Sequence, residues 1–216
     1  AEKIIYCLSG FISAIGTVMM PKVTKMLKDG LTDRVKDHMD RSMDLVICMV
    51  SAMAFGVAAV AREFAPLFYG EDFARSGELM IPLAFTLIMI GFANVIRTQW
   101  VLPQGRDSIF VKSVCSGAVV NLIANALLIP VMGAMGAVVG TLLAEMTVPT
   151  VQFLILRKEL PYGKLLRYVL VYAVIGGIML GIVRAENALL PFDGWVGLAI
   201  RAVTGAAVYG VLCLAW

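Results

Sequence analysis

The sequence predicts an all-α protein, a polytopic bundle of about seven transmembrane helices, and three observations predict it. The 216 residues are 60% hydrophobic and 15% charged, with mean hydropathy +0.89, against about 25% charged in an ordinary soluble domain. The apolar residues come in blocks rather than periodic stripes. Residues 45–61, 79–96, 113–144, 168–183 and 202–216 contain no Asp, Glu, Lys or Arg. A helix needs about 20 mostly apolar residues to cross a hydrocarbon core about 30 Å thick, and each block approaches or exceeds that length.

Turn and charge signals place the spans at about 4–21, 42–61, 79–102, 110–129, 134–156, 165–183 and 195–216, within about 2–4 residues at each end. The fourth and fifth need a separate argument. Residues 113–156 hold a single charged residue, Glu145, yet as one helix they would run about 66 Å, twice the membrane. The stretch must fold back on itself, and Pro130 with Gly133 in "IPVMGAMG" supplies a tight turn.

Basic residues set the expected orientation. The 22–41 segment, the 103–112 loop and the "RKELPYGK" region carry twelve between them: Lys22, Lys25, Lys28, Arg34, Lys36, Arg41, Arg106, Lys112, Arg157, Lys158, Lys164 and Arg167. The intervening loops carry three, Arg62, Arg75 and Arg184. That bias puts the first set in the cytoplasm, the N-terminus outside and the C-terminus inside, in a cell (cytoplasmic) membrane. The 22–41 segment alternates acids and bases and reads as a solvated connector, with a helix lying on the headgroups as the alternative. On the opposite side, "REFAPLFYGEDFARSGEL" mixes aromatic and acidic residues as an interfacial loop does.

Polar residues inside the spans are the candidate functional groups, because a polar side chain in lipid must find a partner. Asn121 and Asn125 share one face of the fourth span with Gly117. They read either as helix glue, amides bonded to a neighbouring helix for about 0.6 to 2 kcal/mol each, or as the lining of a cavity for polar cargo. Glu145 falls near the middle of the fifth span, where a carboxylate pairs with a base, titrates or faces water. Arg97 lies inside the cytoplasmic end of the third span. It either snorkels to the interface or projects inward, where a guanidinium suits phosphate. Arg201, near the outer end of the last span, reads as snorkelling. Gly136/Gly140, Gly177/Gly181 and Ala52/Gly56 have the spacing of close helix contacts.

Other chemistry is weakly represented. Cys7, Cys48, Cys115 and Cys213 are far apart in apolar segments and read as small buried hydrophobes. With one histidine, His38, and no His/Cys cluster, no metal site and no cofactor are expected. No Gly-rich phosphate loop with a Lys argues for ATP hydrolysis, and nothing points to nucleic acid. Glu71 and Asp72, adjacent in an acidic turn, make a poor catalytic pair, so an enzyme is not expected.

Residues 101–145, "VLPQGRDSIFVKSVCSGAVVNLIANALLIPVMGAMGAVVGTLLAE", resemble the C-terminal part of bacterial polysaccharide flippases of the multidrug/oligosaccharidyl-lipid/polysaccharide exporter superfamily. The matching features are Gly105–Arg106–Asp107, Asn121 and Asn125, Ile129–Pro130, Gly133–Ala134, Gly136–Ala137, and Thr141 followed by Glu145. "TVMMPKVTKML", with the Pro21 that ends a helix in the family, and "APLFYGEDFARSGELM" agree as well. The resemblance weakens after about residue 160.

It implies one lobe of a two-lobe exporter, incomplete at its start and formed by residues 1–156, followed by a two-helix extension at 157–216. The N-terminal lobe of the same polypeptide would then be a partner, along with membrane lipid and a coupling ion that nothing in the residues identifies. The implied activity is export of a lipid-linked oligosaccharide by alternating access. On that reading Arg97 meets the cargo's pyrophosphate, while Asn121, Asn125 and Glu145 line or brace the sugar passage. The alternatives are a cation-coupled multidrug exporter of the same superfamily, a membrane enzyme of polysaccharide assembly, and a bare scaffold.

Overall fold

Residues 2–189 and 194–216 are described by a computed structural model, and all long elements among them are α-helices. In order they are α1 (Glu2–Lys28), α2 (Thr32–Tyr69), α3 (Arg75–Ala84), α4 (Thr86–Ile96), α5 (Asp107–Met132), α6 (Ala134–Leu156), α7 (Tyr162–Leu189) and α8 (Gly194–Leu214). α3 and α4 run on through a π-helical turn, Arg97–Val101, and a 3-10 turn, Leu102–Gln104. Together they form one span, Arg75–Gln104, so among the described residues seven helices are long and apolar enough to cross a membrane. In lipid no water pairs with the backbone, so a run of apolar residues satisfies its amides internally and becomes helix. The chain is thus a multi-pass membrane protein.

Several boundaries depart from the expectation. Pro21 does not end α1, which continues to Lys28 with Lys25 and Lys28 in its last turn. Pro21 lies on the exposed side of the helix, where one lost hydrogen bond is tolerated. The real stop is Gly30, whose φ of 73° completes a C-terminal cap. Its N–H bonds Leu27 and that of Leu31 bonds Met26, each at 3.0 Å. The 22–41 segment is therefore neither a loop nor a surface helix. It is the end of α1 and the start of α2, and its inner face holds Val23, Val35 and Met39, all fully buried. With 38 residues, α2 is about 57 Å long and projects past a bilayer core.

The α5–α6 hairpin forms where expected, with a narrower cause. Pro130 sits inside α5; Gly133 alone makes the turn, at φ 58° with its N–H on the Ile129 carbonyl at 2.8 Å. The two helices lie close because Gly136 faces the Leu128 carbonyl and Gly117 faces the Ala144 carbonyl. Gly177, Gly181 and Gly56 have open space beside them instead. Their neighbour Gly176, on the buried face of α7, meets the Phe55 ring of α2.

Ion pairs fasten the two ends. At one end Arg106 donates to both oxygens of Glu159 at 2.5 and 3.0 Å, and Trp100 Nε1 donates to the same carboxylate at 3.0 Å. Lys164 and Tyr168 donate to Asp40, and Tyr172 donates to Asp44. The three segments rich in basic residues thus share one end of the bundle. At the other end Arg201 does not snorkel: it is 5% exposed and pairs with Glu63 of α2 at 2.5 Å. A carboxylate on the adjacent helix gives the cation a nearer partner than the interface. Phe64, Phe68 and Tyr69 cluster close by, rings about 5 to 6 Å apart.

The cysteines also differ from the expectation: Cys7 and Cys115 are exposed and Cys48 and Cys213 half-buried. Apolar surroundings in this protein include the outer surface of the helices, so a hydrophobic position need not be an interior one.

Candidate functional site

The polar groups within the spans converge on the side of the bundle formed by α1, α4, α5 and α6. α5 and α6 bring the amides and the carboxylate together. Asn121 and Asn125, four residues apart, stack on the α5 face that turns to α6, and Asn125 Nδ2 donates to Asn121 Oδ1 at 2.7 Å. Among the described residues neither amide bonds a neighbouring helix; Asn125 Oδ1 is buried without a hydrogen-bond partner there and lies against Gly140. Both amides line a cavity of about 680 Å³ together with Thr141, Glu145 and Tyr6.

Arg97 lines a second cavity, of about 280 Å³, whose wall also includes Glu145, Tyr6, Asn94 and Gln152. Glu145, Tyr6, Val114 and Val148 belong to both cavities, so the four candidates of the sequence border two adjoining cavities that share part of their lining. Arg97 points inward rather than out to the interface. Its guanidinium carbon stands 5.0 Å from the Phe110 ring centroid, Nη2 donates to Asn94 Oδ1 at 2.6 Å, and Nε is buried with no hydrogen-bond partner. The π-helical turn that begins at Arg97 re-aims the side chains after α4, a distortion common at functional sites. Glu145 is half-buried with no hydrogen bond or ion pair among the described residues, so the pairing alternative for this carboxylate finds no base.

Two contributors were not singled out from the sequence. Asn94 is 6% exposed and Gln152 is 1% exposed, with Gln152 Oε1 lacking a partner. Asn94 could have been found, since an amide one turn before an intramembrane arginine is well placed to bond it. Gln152 carried no such signal. Among the described residues no group of three or more His, Cys, Asp or Glu could hold a metal ion.

A groove of neutral amides around one cation and one carboxylate suits an amphipathic, hydrogen-bonding ligand. The family model described as lipid II flippase MurJ matches residues 4–192. The chain belongs to the MurJ lipid II flippase family. The match passes well beyond residue 160, where the resemblance had faded, and takes in α7. Relatives of the MurJ kind include the lipid II flippase MurJ of Bacillus subtilis (strain 168), 23% identical over 224 residues, covering 99% of this chain and 41% of that protein. A putative O-antigen transporter of Shigella dysenteriae is 23% identical over 148 residues, covering 68% of this chain and 36% of that protein. This chain thus spans about two fifths of the length of these curated relatives. No solved structure matches it. MurJ-family flippases are transporters, not enzymes.

Proposed function

We propose that the chain forms most of one lobe of an exporter that carries a lipid-linked oligosaccharide from the inner to the outer leaflet of the cytoplasmic membrane by alternating access. The observation that carries this reading is the convergence of Arg97, Asn121, Asn125 and Glu145 on two adjoining cavities that share Glu145. Four polar residues scattered over three spans would not line two adjoining cavities if each served only local packing. The names of the two relatives, a lipid II flippase and a putative O-antigen transporter, fit a cargo that joins lipid to sugar.

In this scheme Arg97 receives the pyrophosphate through its planar fork. Asn121, Asn125 and Gln152 exchange hydrogen bonds with sugar hydroxyls, and Glu145 is the titrating or water-facing group between the two cavities. Residues 1–156 supply the lobe and residues 157–216 a two-helix extension, since α7 and α8 pack on α2 through Tyr172–Asp44, Tyr209–Cys48 and Arg201–Glu63 and border neither cavity. A second lobe of the same polypeptide closes the groove, which is consistent with relatives more than twice as long. The basic end of the bundle faces the cytoplasm, by the excess of Lys and Arg there, and an ion gradient or the membrane potential drives the cycle.

Arg97→Ala in the complete protein should abolish or strongly reduce export of the lipid-linked sugar at normal membrane abundance. Export at the wild-type rate would reject the assignment. The unpaired Glu145 favours a second reading, a cation-coupled multidrug exporter. Drug resistance that depends on Glu145 in cells whose envelope sugars are unchanged would select it.

A further inference from the structure

Arg97 is held by a link that reaches a different helix. We propose that Asn94 is a positioning residue for the anion subsite, tying the aim of the Arg97 guanidinium to the seat of α1. The proposal rests on the reading of Arg97 as the group that meets the cargo's phosphate. Asn94, almost fully buried in α4, accepts from Arg97 Nη2 at 2.6 Å through Oδ1. Through Nδ2 it donates to the Ile12 carbonyl of α1 at 3.0 Å. That carbonyl lies inside a helix, and a carbonyl oxygen has a second lone pair to offer.

The approach depends on Gly16. A Cβ there would fall 2.9 Å from Asn94 Nδ2 and 2.9 Å from Thr98 Cγ2, closer than real contacts allow, so α1 carries no side chain where the link crosses. The chemistry of the link is equally selective. A primary amide donates at one end and accepts at the other. Aspartate cannot donate to Ile12 when ionised, leucine does neither, and glutamine is one methylene longer. A neutral acceptor also orients the cation while leaving its charge uncompensated, whereas a carboxylate would neutralise it. Only one Arg97 Nη2 hydrogen is spent on Asn94, so the guanidinium, with five N–H donors, keeps terminal donors for a ligand in the cavity that Asn94 and Arg97 both line. A shift of α1 along α4 pulls on Nδ2 and turns the guanidinium, so the grip on an anion follows the position of α1.

The test uses the complete protein purified in detergent, with a short-chain polyprenyl diphosphate as probe and the matching neutral polyprenol as control. Binding and the thermal unfolding midpoint are measured for wild type, Asn94→Asp, Arg97→Ala and the double variant. Asn94→Asp should weaken diphosphate binding at least tenfold and leave polyprenol binding and the midpoint near wild type. The double variant should bind no more weakly than Arg97→Ala alone, because Asn94 acts through Arg97.

Wild-type diphosphate affinity in Asn94→Asp beside a weakened Arg97→Ala overturns the positioning role and leaves the Arg97 reading intact. Wild-type affinity in Arg97→Ala overturns the Arg97 reading, and the positioning role with it. Equal loss of both probes in Asn94→Asp marks a general loosening of the fold and also overturns the proposal. Should Asn94→Asp fail to fold, Gly16→Ala serves instead: a selective loss of the diphosphate supports the link, and unchanged binding of both probes rejects it.

Discussion

The Asn125 side chain of α5 lies on Gly140 of α6, its Oδ1 in the space where any larger residue would place a Cβ. The glycine admits the amide, and the amide faces Asn121 and the larger cavity. Gly140→Ala should therefore displace Asn125 and destabilise the protein by about 1–3 kcal/mol, the usual penalty for overpacking a tight contact. Removing the displaced group as well, in Gly140→Ala with Asn125→Ala, should recover much of that loss in thermal unfolding. Strictly additive losses would mean the two residues do not share the space.

Arg201 and Glu63 test a different kind of contact. Arg201 is almost completely buried and the Glu63 side chain is 26% exposed. Breaking a buried pair leaves an uncompensated charge and costs about 3–5 kcal/mol; because Glu63 retains access to the surface, Arg201→Met should cost less, about 2 kcal/mol by the same principle. Changing both residues, Arg201→Met with Glu63→Gln, should be milder than the single change. The measurement is the unfolding midpoint in detergent, and a double variant worse than the single one contradicts the pairing.

The Arg106–Glu159 clasp predicts a pH effect with a definite sign. The hydrogen bonds from Arg106, and secondarily from Trp100, hold the Glu159 carboxyl below its ordinary value of 4.5, against an opposing effect of desolvation. A lowered folded value means the stabilisation is complete above the ordinary carboxylate range and is lost as pH falls through the folded value. Both side chains are about a third exposed, so the contribution is modest, about 0.5–1 kcal/mol. Wild type and Glu159→Gln should differ in unfolding midpoint near neutrality and converge in acid. A difference that persists unchanged below the carboxylate range would disprove the assignment.

Glu145 predicts a pH effect on transport rather than on stability. If the carboxylate titrates between the two cavities, Glu145→Gln should remove a pH-dependent limb of the transport rate while the protein remains folded. A variant profile that superimposes on the wild type over the whole range leaves Glu145 a packing role only.

The number of spans, the hairpin near Gly133 and the grouping of basic segments at one end were all readable from the chain. Each follows from a property that sums locally: hydropathy over about 20 residues, the length a helix can run, and the charge of short connections. The same local reading misjudged Pro21 and Pro130. A proline removes one hydrogen bond but does not by itself terminate a helix that lipid and neighbours hold in place. It misjudged Gly177 and Gly181 as well, because periodic spacing reveals that small residues share a face but not which face is covered. Asn94 on Ile12, Arg201 on Glu63 and Asn125 on Gly140 join positions 82, 138 and 15 residues apart. Which helix faces which, and in what rotation, is a property of the packed bundle, and only that packing brought separate polar residues to two adjoining cavities.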